Sequence, residues 1–79
     1  MNQKEYHLDI EMLPKDIKDY ILKIEQLQIE YKKHKKDRIK WEIADIKMEL
    51  IGSINASYYG NEISKSIADY LRNKYNLYY

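Results

Sequence analysis

From Lys15 to Ile51 the chain contains neither glycine nor proline, and its apolar residues recur at helical spacing throughout that run. A strand-based architecture needs turn residues far more often than this. The sequence therefore predicts an all-α fold, a two- or three-helix bundle or helical hairpin with coiled-coil-like packing, to which one short N-terminal strand can be added. The chain is read as one small domain over 1–79: an extended segment over 1–13, a helical hairpin or one long helix over 14–51, and a C-terminal helix over 61–76.

The strand rests on alternation. Tyr6, Leu8, Ile10 and Met12 are apolar, whereas His7, Asp9 and Glu11 between them are polar, a period of two that ends at Leu13-Pro14. The same alternation in Tyr75, Leu77 and Tyr79 offers it a partner, within the chain or across a dimer axis.

Helix one opens at Pro14 with Asp16 and Asp19 near its positive end, and Asp19 to Lys23 is an acid-first pair one turn apart. Ile17, Tyr20, Ile24, Leu27 and Tyr31 form its seam, widened by Ile21. The next seam positions are His34 and Arg38, so the stripe stops there and resumes as Ile39, Ile43, Ile46 and Leu50. Residues 32–38 either turn, giving an antiparallel hairpin, or continue as one helix of about 55 Å. The hairpin is the favoured reading, although no glycine, asparagine or proline marks the turn. Trp41, Ala44, Met48 and Ile51 lie on the far side of the second helical segment. Being apolar on two faces, that segment is expected to be sandwiched between helix one and either a third helix or another subunit. Gly52-Ser53 reads as its stop and 54–59 as a connection. Asn61 reads as the N-cap of the last helix, whose inner face is Ile63, Ile67, Tyr70 and Leu71.

A chain of 79 residues buries only about 60% of the surface its unfolded form exposes. With no cysteine, neither disulfides nor a cysteine-based zinc site supplements that core, which leaves a protein partner and, in particular, a homodimer. The formal charge of +1 conceals a basic block, because Lys32, Lys33, Lys35, Lys36, Arg38 and Lys40 are opposed locally only by Asp37. Those cations suit a phosphate backbone, and the flanking Tyr31 and Trp41 suit stacking on unpaired bases. The favoured reading of the block is nonetheless a solvated helix surface or charged hairpin tip whose aromatics face the core. Tyrosine is abundant in the last third, and Tyr58, Tyr59, Tyr78 and Tyr79 join Trp41 and Met48 as candidate interface residues.

Nothing in the chain has the pattern of a catalytic site. His7 and His34 lack second ligands at a metal-binding spacing, and there is no glycine-rich phosphate loop or nucleophile elbow. The expectation is a non-enzymatic protein without cofactor or metal, a regulator or inhibitor that acts by occupying a partner macromolecule. Nucleic-acid binding by Lys32–Lys40 is the alternative. The absence of a long apolar run and of a signal-peptide layout predicts no membrane span and a cytoplasmic location. Richness in lysine, isoleucine, asparagine and tyrosine matches the output of AT-rich genomes, as in low-GC bacteria and their phages and mobile elements.

Overall fold

The computed structural model describes residues 9–77. Within them a 3-10 turn (Ile10–Met12) leads into α1 (Lys15–His34), α2 (Asp37–Tyr59) and α3 (Lys65–Tyr75), and no strand occurs among the described residues. The all-α fold is as the sequence indicates, and the turn at 35–36 makes 14–51 a hairpin rather than one helix.

The N-terminal strand is not formed over its described part. Asp9 accepts a hydrogen bond from the Glu11 N–H through its side chain at 3.0 Å and from the Met12 N–H through its carbonyl at 3.0 Å. A short acidic side chain satisfying nearby backbone donors competes directly with a ladder, and a lone strand has no ladder to offer. Residues 6–8 and Tyr79 of the expected strand pairing lie outside the described residues. Of its proposed C-terminal partner, Tyr75 is helical instead. Ile10 packs on the core, as does Leu13 outside the alternation, but Met12 is 80% exposed, so over its described part the alternation reports neither a strand nor one buried face.

The hairpin seam is as expected in its centre. Ile17, Ile21, Ile24 and Leu27 of α1 are buried, and Ile39, Leu50 and Ile54 of α2 face them. Tyr20 and Ile46 are half-buried against that cluster. Instead of the pair Asp19–Lys23, Asp19 takes the Lys15 ammonium at 2.6 Å, which raises the Lys15 pKa through the hydrogen bond and the carboxylate's charge.

Two boundaries differ from the sequence reading. α2 does not stop at Gly52 but runs to Tyr59. An interior glycine costs about 1 kcal/mol relative to alanine, whereas burying an aliphatic side chain such as that of Leu50 or Ile54 gains about 1.5–3 kcal/mol. The inner stripe therefore carries the helix through. Asn61 is not an N-cap; it takes the left-handed conformation (φ 63°) that ends α2. Its N–H bonds the Tyr58 carbonyl at 3.1 Å and the Glu62 N–H bonds the Ser57 carbonyl at 2.8 Å, a Schellman motif. The buried Ser57 hydroxyl donates to Glu62 Oε1 at 3.0 Å, tying the same two positions together through their side chains. α3 starts three residues later, where Ser64 accepts the Ile67 N–H at 3.1 Å.

α3 lies along the open side of the hairpin and buries Ala68, Leu71 and Tyr75. Arg72 fastens it to α2: one guanidinium nitrogen donates to Asn55 Oδ1 at 2.6 Å, the other to Asp69 at 3.3 Å, and the group lies 6.0 Å from the Tyr58 ring. At the far end Tyr75 donates its hydroxyl to Glu25 of α1 at 2.9 Å. Burial first, and that carboxylate second, push the Tyr75 pKa well above the ordinary tyrosine value. Asn76, also left-handed, ends the helix and places Leu77 in the core.

Candidate functional site

The hairpin turn gathers the six basic residues at one tip. α1 ends with Lys32, Lys33 and His34, and the chain reverses through Lys35 and Lys36 alone. Lys35 adopts the left-handed conformation (φ 54°, ψ 33°) and its N–H bonds the Tyr31 carbonyl at 2.8 Å. Glycine or asparagine ordinarily fills that position. Lys36 is the N-cap of α2 and makes no side-chain cap bond. A cation there, followed by Arg38 and Lys40, also opposes the positive end of the α2 dipole. Lys32, Lys33, Lys35, Lys36, Arg38 and Lys40 are all exposed, and no ion pair among the described residues involves any of them. Lys35 lies 5.6 Å over the half-buried Tyr31 ring. His34 is exposed at the same tip, and His7 lies outside the described residues. No group of three potential metal ligands is gathered among the described residues.

The second feature runs along α2 on the side away from the core. At 100° per residue Trp41, Met48, Gly52 and Tyr59 fall within about 40° of one another, a line that rises about 27 Å. Trp41 is 65% exposed, Met48 72% and Tyr59 79%. Ala44, Asp45, Gly52 and Ala56 between them are exposed as well. α3 therefore does not complete the expected sandwich: of the far-side set only Ile51 is half-buried against the core, while Trp41, Ala44 and Met48 face solvent. Tyr58 is half-buried, its ring 5.3 Å from that of Tyr59. Tyr78 and Tyr79 lie outside the described residues. The sequence reading ended the helix at Gly52 and so missed that Gly52, Ala56 and Tyr59 prolong this face. The inner stripe continuing through Leu50 and Ile54 was the signal that could have found them.

Between the tip and α3 an open groove of about 530 Å³ is lined by Glu25, Gln28, Ile29, Tyr31, Lys32 and Ile43. Glu25 both lines it and accepts the Tyr75 hydroxyl, so the groove begins where α3 ends. Its walls converge on no set of polar groups suited to acid–base or nucleophilic chemistry. No described helix is long and apolar enough to cross a membrane. Comparison with protein-family models, with curated proteins and with solved structures finds no match.

Proposed function

We propose that this protein is a small non-enzymatic regulator or inhibitor that acts in the cytoplasm by occupying a partner protein, with the outer face of α2 as its docking surface. The observation that carries this reading is the line Trp41–Met48–Tyr59, three large side chains more than half exposed on the face of α2 that neither α1 nor α3 covers. Aromatic residues and methionine in a contiguous exposed patch are the composition of interface cores. Self-association belongs to the same reading. The lysine- and isoleucine-rich composition is in keeping with a phage or mobile-element product of a low-GC host.

The test is comparative capture of partners from such a host by the wild type and by Trp41→Glu and Tyr59→Glu. Because these side chains lie outside the core, both variants should keep wild-type helicity and, in dilute solution, the wild-type melting temperature while losing the captured protein. Retention of the partner by both variants refutes the assignment of the face.

One observation favours nucleic acid as a second reading. Lys35 and Lys36 occupy turn positions where other residues are more stable, and uneconomical side chains concentrate at working surfaces. If the tip grips phosphates, log affinity for duplex DNA should fall with log salt at a slope of up to about −5. The protein-docking reading expects only non-specific affinity, about 10⁻⁴–10⁻⁶ M near physiological salt. Submicromolar binding there, unaffected by Trp41→Glu, makes the tip the working surface.

A further inference from the structure

We infer that the outer face of α2 is built to receive a second copy of this chain, the two α2 helices lying antiparallel about a two-fold axis at the level of Leu50. The inference rests on the reading of that face as a protein-docking surface and names the first occupant and its register.

Gly52 is the starting point. It stands inside α2 on the exposed line, and no atom lies within 4 Å of where a Cβ would sit. Nothing within the protomer therefore requires glycine there, although alanine is the better helix former. A missing side chain on an open helix face serves the close approach of something outside the protomer.

The sequence along the face says what that is. In an antiparallel pair centred at Leu50, positions at about equal distances from that residue meet, and off the midline those on the same side of the face lie together, Ala44 with Asn55 and Asp45 with Ala56. Met48 of one copy then enters the space over Gly52 of the other, and Trp41 meets Tyr59 at each end. The small pair Ala44 and Asp45 falls opposite Asn55 and Ala56. Large residues thus meet small ones in the centre, and the two aromatic pairs close the ends.

The placement of Asp45 and of the basic tips fits the same orientation, with the exposed Glu49 of each copy at the edge of the contact. Asp45 falls beside Ala56 rather than beside another carboxylate. The two basic tips are carried to opposite ends, about 40 Å apart along the helix direction. Parallel pairing would set Asp45 beside Asp45, Met48 against Met48 and the two basic tips together, leaving a gap at the paired glycines.

The size is that of a reversible contact. Buried tryptophan and tyrosine contribute about 150–250 Å² each. With Met48 added, each copy buries on the order of 500 Å², so the pair reaches about 1,000 Å², the lower bound for a specific interface. The geometry points to a micromolar homodimer, with which any heterologous partner of this face must compete.

The chain contains no cysteine, so introduced thiols report the register directly. Asp45→Cys and Ala56→Cys, prepared as separate full-length proteins and mixed under mild oxidation, should cross-link to each other at least tenfold faster than either does to itself. Dominant self-linking of Asp45→Cys indicates parallel packing, and equal rates indicate random collision; either result overturns the inference. Gly52→Ala adds a readout that a purely structural glycine would not give. It should raise the melting temperature of dilute protein and weaken self-association at least tenfold in sedimentation. An unchanged dimer dissociation constant overturns the proposal, as does a wild type that stays at 9.7 kDa up to millimolar concentration. If the wild type is monomeric but Trp41→Glu still abolishes capture of a heterologous protein, the docking face stands and only its occupancy by a second copy falls. If Trp41→Glu changes neither, both fall.

Discussion

Replacing Lys36 with aspartate should stabilise the protein, and the structure allows the size of the gain to be worked out. Lys36 already has N-cap geometry (φ −87°, ψ 134°), and its carbonyl is bonded by the N–H groups of Ile39 at 3.0 Å and Lys40 at 3.3 Å. Its side chain caps nothing. Aspartate fits the same backbone and brings an acceptor to the free donors of the first turn, worth about 0.5–2 kcal/mol. Exchanging a cation for an anion at the positive end of α2 adds about 0.3–1 kcal/mol, less at high salt. The new charge also sits among Lys32, Lys33, Lys35, Arg38 and Lys40 and relieves their mutual repulsion, against which its contact with Asp37 is a small cost. The net is on the order of 1–2 kcal/mol. At about 4–8 °C per kcal/mol for a domain of this size, thermal melts followed by circular dichroism at low salt should rise by roughly 4–16 °C. Lys36→Ala, which removes the cation without supplying an acceptor, should give only a fraction of that rise. A Lys36→Asp protein that melts at or below the wild type would refute the reasoning, because it would mean that Lys36 has a stabilising role in the fold.

Two further predictions concern the core. Ile24 is fully buried, so Ile24→Ala should cost about 2–5 kcal/mol, a large part of the roughly 4–12 kcal/mol available to a chain this size. Ile46→Ala, at a half-buried position, should cost less, and Leu22→Ala on the exposed side of α1 least; denaturant titration that ranks them otherwise contradicts the face assignments. Tyr75 ionises only well above the ordinary tyrosine range near 10, so its proton favours the folded state. That contribution is complete below the unfolded pKa and is lost as pH rises beyond it. Tyr75→Phe should cost about 1 kcal/mol at neutral pH and flatten the alkaline fall in stability. Parallel alkaline losses in the two proteins would mean that Tyr75 ionises as readily in the folded chain as in the unfolded one, against its burial beside Glu25.

The inner stripes of α1 and α2 were legible because burial imposes a period of 3.6 on any sequence that packs that way, and Ile17, Ile24, Ile39 and Leu50 obey it. The ends of elements were less legible. Gly52 carries the usual mark of a stop, yet the burial of Leu50 and Ile54 outweighs a single glycine. Asn61 suits both an N-cap and a left-handed helix end, and only the bonds from Asn61 and Glu62 back to Tyr58 and Ser57 decide between them. The hairpin was favoured, but its turn could not be placed within 32–38, since Lys35 and Lys36 fill positions that turn residues usually take. For the candidate face, Trp41, Ala44 and Met48 could be read as apolar and off the seam. That α3 leaves them uncovered depends on where α3 docks, which Arg72 and Tyr75 fix through partners 17 and 50 residues away in the chain.

Trp41 is the chain's one tryptophan, so its fluorescence reports directly on the outer face of α2. At nanomolar concentration its emission should be that of a water-exposed indole, open to an aqueous quencher. As the protein is concentrated through the micromolar range, or as a partner is added, the emission should shift to the blue and quenching should weaken; in Met48→Glu the concentration-dependent shift should vanish. A Trp41 that is shielded in dilute Met48→Glu, or that stays fully quenchable at every concentration and with every partner, would contradict the account.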